Sequence, residues 1–147
     1  MLKAFFFIGF LMVLIYSGPS TAGMMDDLKN SQEISKLLIE GKLEEAAEIF
    51  SKIEDPKMRE ISAVSLQSQF LMRGEVAKGE SFLEYILNEN IRQLSYQSIA
   101  TQSILIKKDC IKANKYIELL INSQIQELTK MSYNMACGQD SEPPKID

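Results

Sequence analysis

The chain has 147 residues, with 16 Lys and Arg against 20 Asp and Glu, a formal net charge of −4, no His, no Trp and two Cys. Mild acidity argues against a nucleic-acid partner, because binding to phosphates needs clustered Lys and Arg. The lack of His removes Ser–His and Cys–His dyads and the commonest metal ligand, so we expect no catalytic residues, no metal and no other cofactor.

The first predicted element is an N-terminal export signal. Lys3 precedes an unbroken apolar run from Ala4 to Tyr16, and the small residues Ser20, Thr21 and Ala22 follow. These are the three parts of a secretory signal peptide, and the apolar run is shorter than the span of roughly 20 residues that crosses a bilayer. We expect a signal peptide over residues 1–22, cleaved after Ala22, and a periplasmic or secreted product without membrane attachment. Retention as an uncleaved anchor is the alternative.

The rest of the sequence repeats with a period of about 34 residues, a length typical of helical repeat proteins. Equivalent positions carry apolar or small residues in three successive copies, at helical rather than strand spacing. Among them are Leu43/Val76/Cys110, Ala46/Gly79/Ala113, Met58/Ile91/Ile125 and Ile61/Leu94/Leu128, with Met25, Leu28, Ile34 and Leu37 in a preceding half-unit. We expect these apolar positions to be buried by stacking of helix pairs, with the small residues where two helices approach closely.

In chain order, the predicted helices cover residues 25–40, 42–54, 56–72, 75–88, 90–106, 109–121 and 124–137. Two kinds of residue mark the predicted helix boundaries: glycine at helix ends and short polar residues at helix starts. These residues are Gly41 and Gly74 at the ends, and Asp55 (before Pro56), Asn88, Asp109 and Ser123 at the starts. We place one repeat domain over residues 23–137 and a disordered tail over 138–147, where little can be buried.

One stretch resembles a known repeat family. Residues 41–50, Gly-Lys-Leu-Glu-Glu-Ala-Ala-Glu-Ile-Phe, are similar to the second helix of a tetratricopeptide repeat (TPR), and residues 74–83 and 108–117 are looser copies. The first helices depart from that pattern, since Gln67 and Thr101 stand where the family favours Gly. The resemblance implies a divergent TPR-like fold: an all-α, short right-handed α-solenoid of about three and a half helix-turn-helix repeats. It also implies a protein or peptide partner on the concave face.

In such solenoids the first helix of each pair lines the concave face. Here those helices are rich in uncharged polar residues, including Ser62, Ser65, Ser95, Ser98, Thr129 and Ser132. Gln amides can hydrogen-bond an extended backbone as donor and acceptor, and Arg can bind carboxylates with two parallel bonds. The predicted partner-binding residues are Arg59, Gln67, Arg92, Gln97 and Gln126. An ordinary solvated helix surface is the alternative interpretation.

The two cysteines are level in the predicted last hairpin. Cys110 opens one helix, Cys137 closes the next, and their midpoint falls at the turn between them. In an exported protein we therefore expect a Cys110–Cys137 disulfide. The alternative is that both are small core residues, since Cys110 shares a position with Leu43 and Val76.

We expect a non-enzymatic interaction module that holds a protein or peptide partner on its concave helical face. The first alternative is an assembly subunit that docks through the ends of its solenoid. In that case Met24, Met25, Leu28 and Ile34 would form an exposed apolar docking surface at one end. A secreted effector or inhibitor is the other alternative. The sequence specifies neither the partner's identity nor the oligomeric state.

Overall fold

The computed structural model describes residues 21–138, which form seven α-helices and no strand. The helices are α1 (Thr21–Ile39), α2 (Leu43–Phe50), α3 (Pro56–Met72), α4 (Val76–Ser81), α5 (Glu89–Gln102), α6 (Cys110–Glu118) and α7 (Ser123–Cys137). A 3₁₀-helix, Leu83–Tyr85, follows α4, and a π-helix, Ser103–Lys107, continues α5. The prediction of an all-α domain is confirmed. The second and fourth helices are shorter than predicted, because the chain leaves them through turns at 51–52 and 82.

The predicted signal segment and tail lie largely outside the described residues, which exclude 1–20 and 139–147. The described part of α1 includes Thr21 and Ala22, so the predicted cleavage site after Ala22 lies within this helix. Within the described range, none of the helices combines the length and the apolarity that crossing a membrane requires.

The turns inside the helix pairs share one backbone conformation. Gly41, Gly74 and Lys108 occupy equivalent positions and have left-handed φ angles of 76°, 74° and 51°. In both glycine turns the following N–H reaches back to a carbonyl five residues earlier, at 2.8 and 2.9 Å. This is the glycine termination that the sequence predicts for the first and third helices. Lys108 adopts the same conformation without glycine's freedom.

The first helices of the pairs are α1, α3, α5 and α7, and the last three of them begin with similar caps. Asp55, Asn88 and Asn122 have extended backbones, and each accepts hydrogen bonds from N–H groups of the following first turn. Asp109 also caps α6 through its side chain, which accepts from the Lys112 N–H, although its backbone is not extended. The predictions for Asp55, Asn88 and Asp109 are confirmed, whereas α7 is capped by Asn122 rather than by Ser123.

The first helix of each complete pair (α1, α3 and α5) also holds the loop that follows the second helix of the same pair. An acceptor side chain in the first helix receives backbone N–H groups from the residues that follow the second helix. The bonds run from Glu54 and Asp55 to Asp27 (3.0 and 2.8 Å), from Asn88 to Glu60 (2.6 Å), and from Ile121 to Gln93 (2.8 Å). We call Asp27, Glu60 and Gln93 the loop clamps. Each lies one repeat period after the one before it, so the sequence period is also a period of hydrogen bonding.

The π-helix explains why the period changes. Ala46 and Gly79 occupy equivalent positions in the first two units and are 33 residues apart. Gly79 and Ala113, which lie on either side of residues 100–107, are also equivalent but are 34 residues apart. The π-helix Ser103–Lys107 lies in that interval. A π-turn absorbs one additional residue within a continuous helix. The π-helix therefore accommodates the extra residue. As a result, the turn at Lys108 keeps the left-handed conformation that Gly41 and Gly74 have in the first two units.

The core lies between the paired helices. One cluster includes Ile34, Leu43, Phe50, Leu66, Phe70 and Ile86, and a second includes Leu71, Val76, Ile99, Tyr116 and Ile117. Ala46, Gly79 and Ala113 are all buried. A Cβ on Gly79 would lie 2.8 Å from the Leu71 side chain and 3.3 Å from the Gln67 carbonyl oxygen, so a larger residue there would require Leu71 to shift. The close approach predicted for these small residues is found at Gly79, and Ala46 and Ala113 are fully buried.

Packing follows the order of the chain. α1 packs most extensively on α2, α3 on α4, and α5 on α6, and each first helix also contacts the next first helix. The second helices are α2, α4 and α6. The first helices therefore lie beside one another, and their outer surface is the candidate site.

Candidate functional site

The outer surface of the first helices carries an exposed apolar side chain at one equivalent position of each helix. Leu28, Ile61, Leu94 and Leu128 occupy equivalent positions and are 46%, 65%, 55% and 56% exposed. We call these four residues the apolar stripe. The prediction that this position belongs to the buried core is wrong, because it points away from the paired second helix. Repeated exposure of large apolar side chains is typical of a binding surface.

Serines next to the stripe use their hydroxyl hydrogens internally. Ser65, Ser98 and Ser132 each lie four residues after a stripe residue and donate to its backbone carbonyl, at 3.1, 2.9 and 3.5 Å. This local bond occupies the hydroxyl donor. The face is therefore less polar than its serine content suggests, and short side chains leave the apolar stripe accessible.

Two grooves flank Leu94 on this face. The groove between α3 and α5 has a volume of about 320 Å³, and its lining includes Val64, Gln67, Leu94 and Gln102. The second, of about 550 Å³, lies between the start of α5 and the α6–α7 turn and includes Ile121. Both grooves expose more apolar than polar lining, which suits a ligand with apolar side chains.

A third depression, of about 660 Å³, lies at the turns of the second and third units. Its lining is charged and includes Arg73, Lys78, Ser103, Lys107 and Asp109. Among residues 21–138, no group of three or more His, Cys, Asp or Glu side chains could hold a metal ion.

Three of the predicted partner-binding residues lie at equivalent positions near the starts of first helices and donate to backbone carbonyls of their own chain. Arg59 Nε donates to the Ile53 carbonyl at 2.7 Å, and Arg92 Nε and Nη2 donate to the equivalent Ile86 carbonyl at 2.9 and 2.7 Å. In the last unit Gln126 Nε2 donates to the Ile117 carbonyl at 3.0 Å. Arg59 and Arg92 hold the loops that precede α3 and α5, and Gln126 bonds to the last turn of α6. Their contact with a partner stays a prediction.

The other two predicted residues differ in burial. Gln67 on α3 is only 3% exposed and lines the α3–α5 groove. Gln97 on α5 is half-buried and lies outside that lining. The structure therefore brings only Gln67 of the five predicted residues into the α3–α5 groove. Gln102, which is not one of the five predicted partner-binding residues, lies in the same groove.

Small hydroxyl residues are buried where first helices cross. Ser62, Ser95 and Thr129 occupy equivalent positions and are 3%, 5% and 4% exposed. Ser62 Oγ lies 3.5 Å from Ser31 Oγ of α1, and Thr129 Oγ1 donates to the carbonyl one turn earlier at 2.7 Å. The prediction that Ser62, Ser95 and Thr129 belong to an exposed polar surface is therefore wrong. The recurrence of small side chains at a single position of the repeat was the signal for close helix packing.

Glu80 of α4 joins two second helices. Its carboxylate accepts hydrogen bonds from Lys112 (2.6 Å), Lys115 (3.3 Å) and the Tyr116 hydroxyl, all on α6. Burial alone would raise the pKa of Glu80, but these hydrogen bonds outweigh it and hold the pKa below its ordinary value. Burial and the same carboxylate raise the pKa of Tyr116 well above the usual tyrosine range. This group of charged side chains lies on the second helices α4 and α6.

A disulfide joins Cys110 at the start of α6 to Cys137 at the end of α7, with the two Cα atoms 5.9 Å apart. The predicted pairing is confirmed. The bond closes the open end of the last hairpin, which has no following helix pair among the described residues. It holds α7, and with it the stripe residue Leu128, against the rest of the domain.

Comparisons of the chain with protein-family models, with curated proteins and with solved structures gave no match. The TPR resemblance of residues 41–50 thus comes without a family assignment. Function must be inferred from the contacts described above.

Proposed function

We propose that the chain is an exported, non-enzymatic interaction module with a TPR-like α-solenoid fold, and that it holds a protein or peptide partner against its first helices. The solenoid is supported by features that recur with the sequence period: the left-handed turns, the helix caps and the loop clamps. Ion pairs also link consecutive second helices, Glu44 with Lys78 and Glu80 with Lys112. Such nearest-neighbour contacts are what a right-handed stack of helix pairs requires.

Export is supported by two independent features. Residues 1–22 have the composition of a signal peptide. The Cys110–Cys137 disulfide suits an oxidising compartment such as the periplasm or the extracellular space. If the full chain is expressed in a bacterial host, N-terminal sequencing of the exported protein should identify Gly23 as the first residue. Recovery of the protein with Met1 retained would contradict cleavage.

The apolar stripe is the observation that carries the binding role. Four equivalent first-helix residues expose large apolar side chains, which water disfavours and which a partner could cover. The neighbouring serines donate their hydroxyl hydrogens to backbone carbonyls of the same helix, so these hydrogens are not available to bind water at the stripe. A polypeptide that offers apolar side chains at intervals would fit this surface better than a charged ligand would.

Selection of peptides on the oxidised protein tests the binding role. We expect random nonapeptides displayed on phage to be enriched by the wild-type chain, and the enrichment to be lost in Ile61→Glu and Leu94→Glu. Ile111→Glu is the matched control, since Ile111 is 87% exposed on the second helix α6. Equal enrichment by wild type and by both stripe variants would overturn the proposed site. Melting temperatures close to wild type would show that the variants are folded.

Docking through the end of the repeat array is a second candidate. The last helix, α7, exposes Met131 and Met135 in addition to Leu128, at 61% and 68%. The predicted docking surface on α1 is only partly exposed, because Met24 and Met25 are accessible while Ile34 is buried. Light scattering distinguishes the candidates: a dimer that Met131→Glu with Met135→Glu converts to a monomer favours docking, and a wild-type monomer favours the first-helix site.

A further inference from the structure

The α3–α5 groove has an uncharged lining with two unused amide atoms. None of the described residues that line it is charged. Gln67 Nε2 and Gln102 Oε1 are buried and make no hydrogen bond with any described residue. One of these atoms is a donor and the other an acceptor. Buried amide atoms without partners are uncommon in folded proteins and call for a physical reason.

Gln67 is also unusual within the repeat. The equivalent positions one period earlier and one period later hold Ile34 and Ala100, which are 1% and 0% exposed. An apolar residue is therefore accommodated at this position in both neighbouring units. A buried, unpartnered amide is less favourable for folding than an apolar side chain there. The second unit thus carries a polar group that its own fold does not use.

We propose that this groove binds an extended, uncharged polypeptide segment by clamping one of its peptide groups between Gln67 and Gln102. The ligand's carbonyl oxygen accepts a hydrogen bond from Gln67 Nε2, and a ligand N–H donates to Gln102 Oε1. An apolar side chain of the ligand packs on Leu94, which lines the same groove. This inference rests on the proposed function and names the ligand chemistry at one part of that site.

The groove's chemistry selects this occupant over the alternatives. A folded helix of a second copy has its backbone N–H and C=O groups already paired, so its backbone could not satisfy both amides. A lipid chain would leave both amides unpaired. An anion would find no cation in the lining. A free peptide group, with one donor and one acceptor close together, satisfies both glutamines at once.

The test uses the disulfide-bonded full chain and a library of N-acetylated, C-amidated nonapeptides built from Ala, Val, Leu, Ser and Asn, followed by fluorescence anisotropy of the selected peptides. Gln67→Leu should weaken binding by about tenfold or more, because a matched hydrogen bond is lost. Its melting temperature should equal or exceed that of wild type. Gln69→Leu, on the same helix but outside the groove lining, is the control and should bind as wild type does.

Replacing single peptide bonds of the ligand by esters locates the clamp. One ester, which lacks the N–H, should weaken binding to wild type about tenfold and have no effect on binding to Gln102→Leu. Unchanged affinity in Gln67→Leu and Gln102→Leu, together with loss in Ile61→Glu, would overturn the clamp and leave the proposed function intact. Failure to select any peptide, or preference for charged peptides when Asp and Lys are added to the library, would overturn both.

Discussion

The Glu60 carboxylate on α3 accepts a hydrogen bond from the backbone N–H of Asn88, at 2.6 Å. Asn88 in turn caps α5, because its own side chain accepts from the first-turn N–H groups of Asn90 and Ile91. Asn88 is thus hydrogen-bonded to one first helix, α3, and caps the next one, α5. Such a link between consecutive first helices sets where α5 begins relative to α3, and the same arrangement recurs at Asp27 with Asp55.

Removing a clamp should destabilise the protein without a change in helix content. We expect Glu60→Ala to lower the free energy of unfolding by about 1 kcal/mol, the usual value of one such hydrogen bond. That corresponds to a melting temperature lower by roughly 4 °C for a domain of this size. Thermal melting followed by circular dichroism measures it.

Glu127 provides the matched control for Glu60. It occupies the equivalent position in α7, after which no helix pair follows among the described residues, and it is exposed. Glu127→Ala should therefore melt within about 1 °C of wild type. Equal losses in both variants would show that helix propensity or surface charge, rather than the clamp, determines the effect.

The turn at Lys108 should become more stable with glycine. Lys108 has a φ of 51°, and glycine stands at both equivalent turns. A side chain in the left-handed region costs about 1 kcal/mol, so Lys108→Gly should stabilise the protein by about 0.5–1 kcal/mol. Lys107→Gly, one residue earlier in the π-helix, should instead destabilise by a similar amount. Urea unfolding gives both values, and a destabilised Lys108→Gly would contradict the assigned turn.

Reduction of the Cys110–Cys137 bond should loosen the last hairpin. The bond spans 27 residues, and closing such a loop stabilises by roughly 3.5 kcal/mol in the chain-entropy model. Melting with and without reductant should therefore differ by several degrees, and Leu128 should become more mobile. Two titratable thiols in the unfolded, unreduced protein would show that the bond is absent.

The Glu80 cluster should contribute to stability in a pH-dependent way. The folded-state pKa of Glu80 lies below the ordinary value of 4.5, so the unfolded chain takes up this proton first as the pH falls. The contribution is complete above pH 4.5 and is lost as the pH drops through the lower, folded-state pKa. Glu80→Gln should thus be less stable than wild type by about 1 kcal/mol at pH 7.

The same variant should approach wild type in strongly acidic solution, because both side chains are then uncharged. Urea midpoints measured at several pH values, from neutral to strongly acidic, follow this difference. Glu118→Gln on α6 is the control, since Glu118 is exposed and bonds only to Asn114 one turn away. A difference between Glu80→Gln and wild type that does not change with pH would contradict the electrostatic explanation.

Helices and turns were predictable because their determinants are local. Gly41 and Gly74 end helices through a backbone conformation that other residues avoid, and Asp55 before Pro56 marks a helix start. The disulfide was also predictable, since level positions in a helical hairpin follow from counting residues from its turn. Such features depend on a few neighbouring residues.

The surface was predicted less well, because periodicity does not say which side of a helix faces a neighbour. Ile61 and Leu94 match the repeat as strongly as core residues do, yet they are exposed. Ser62 lies one position away and is buried. The distinction depends on how consecutive first helices cross, which is a tertiary property. The loop clamps were missed because Asp27, Glu60 and Gln93 differ in charge, although each can accept a hydrogen bond.

The central claim is that a partner lies against the first helices of a repeating array. The most direct measurement is the change in backbone amide chemical shifts when a selected nonapeptide is added to the isotope-labelled, disulfide-bonded chain. We expect changes concentrated on α3, α5 and α7, around Ile61, Leu94 and Leu128. Changes concentrated on the second helices α2, α4 and α6, with the stripe unaffected, would contradict it.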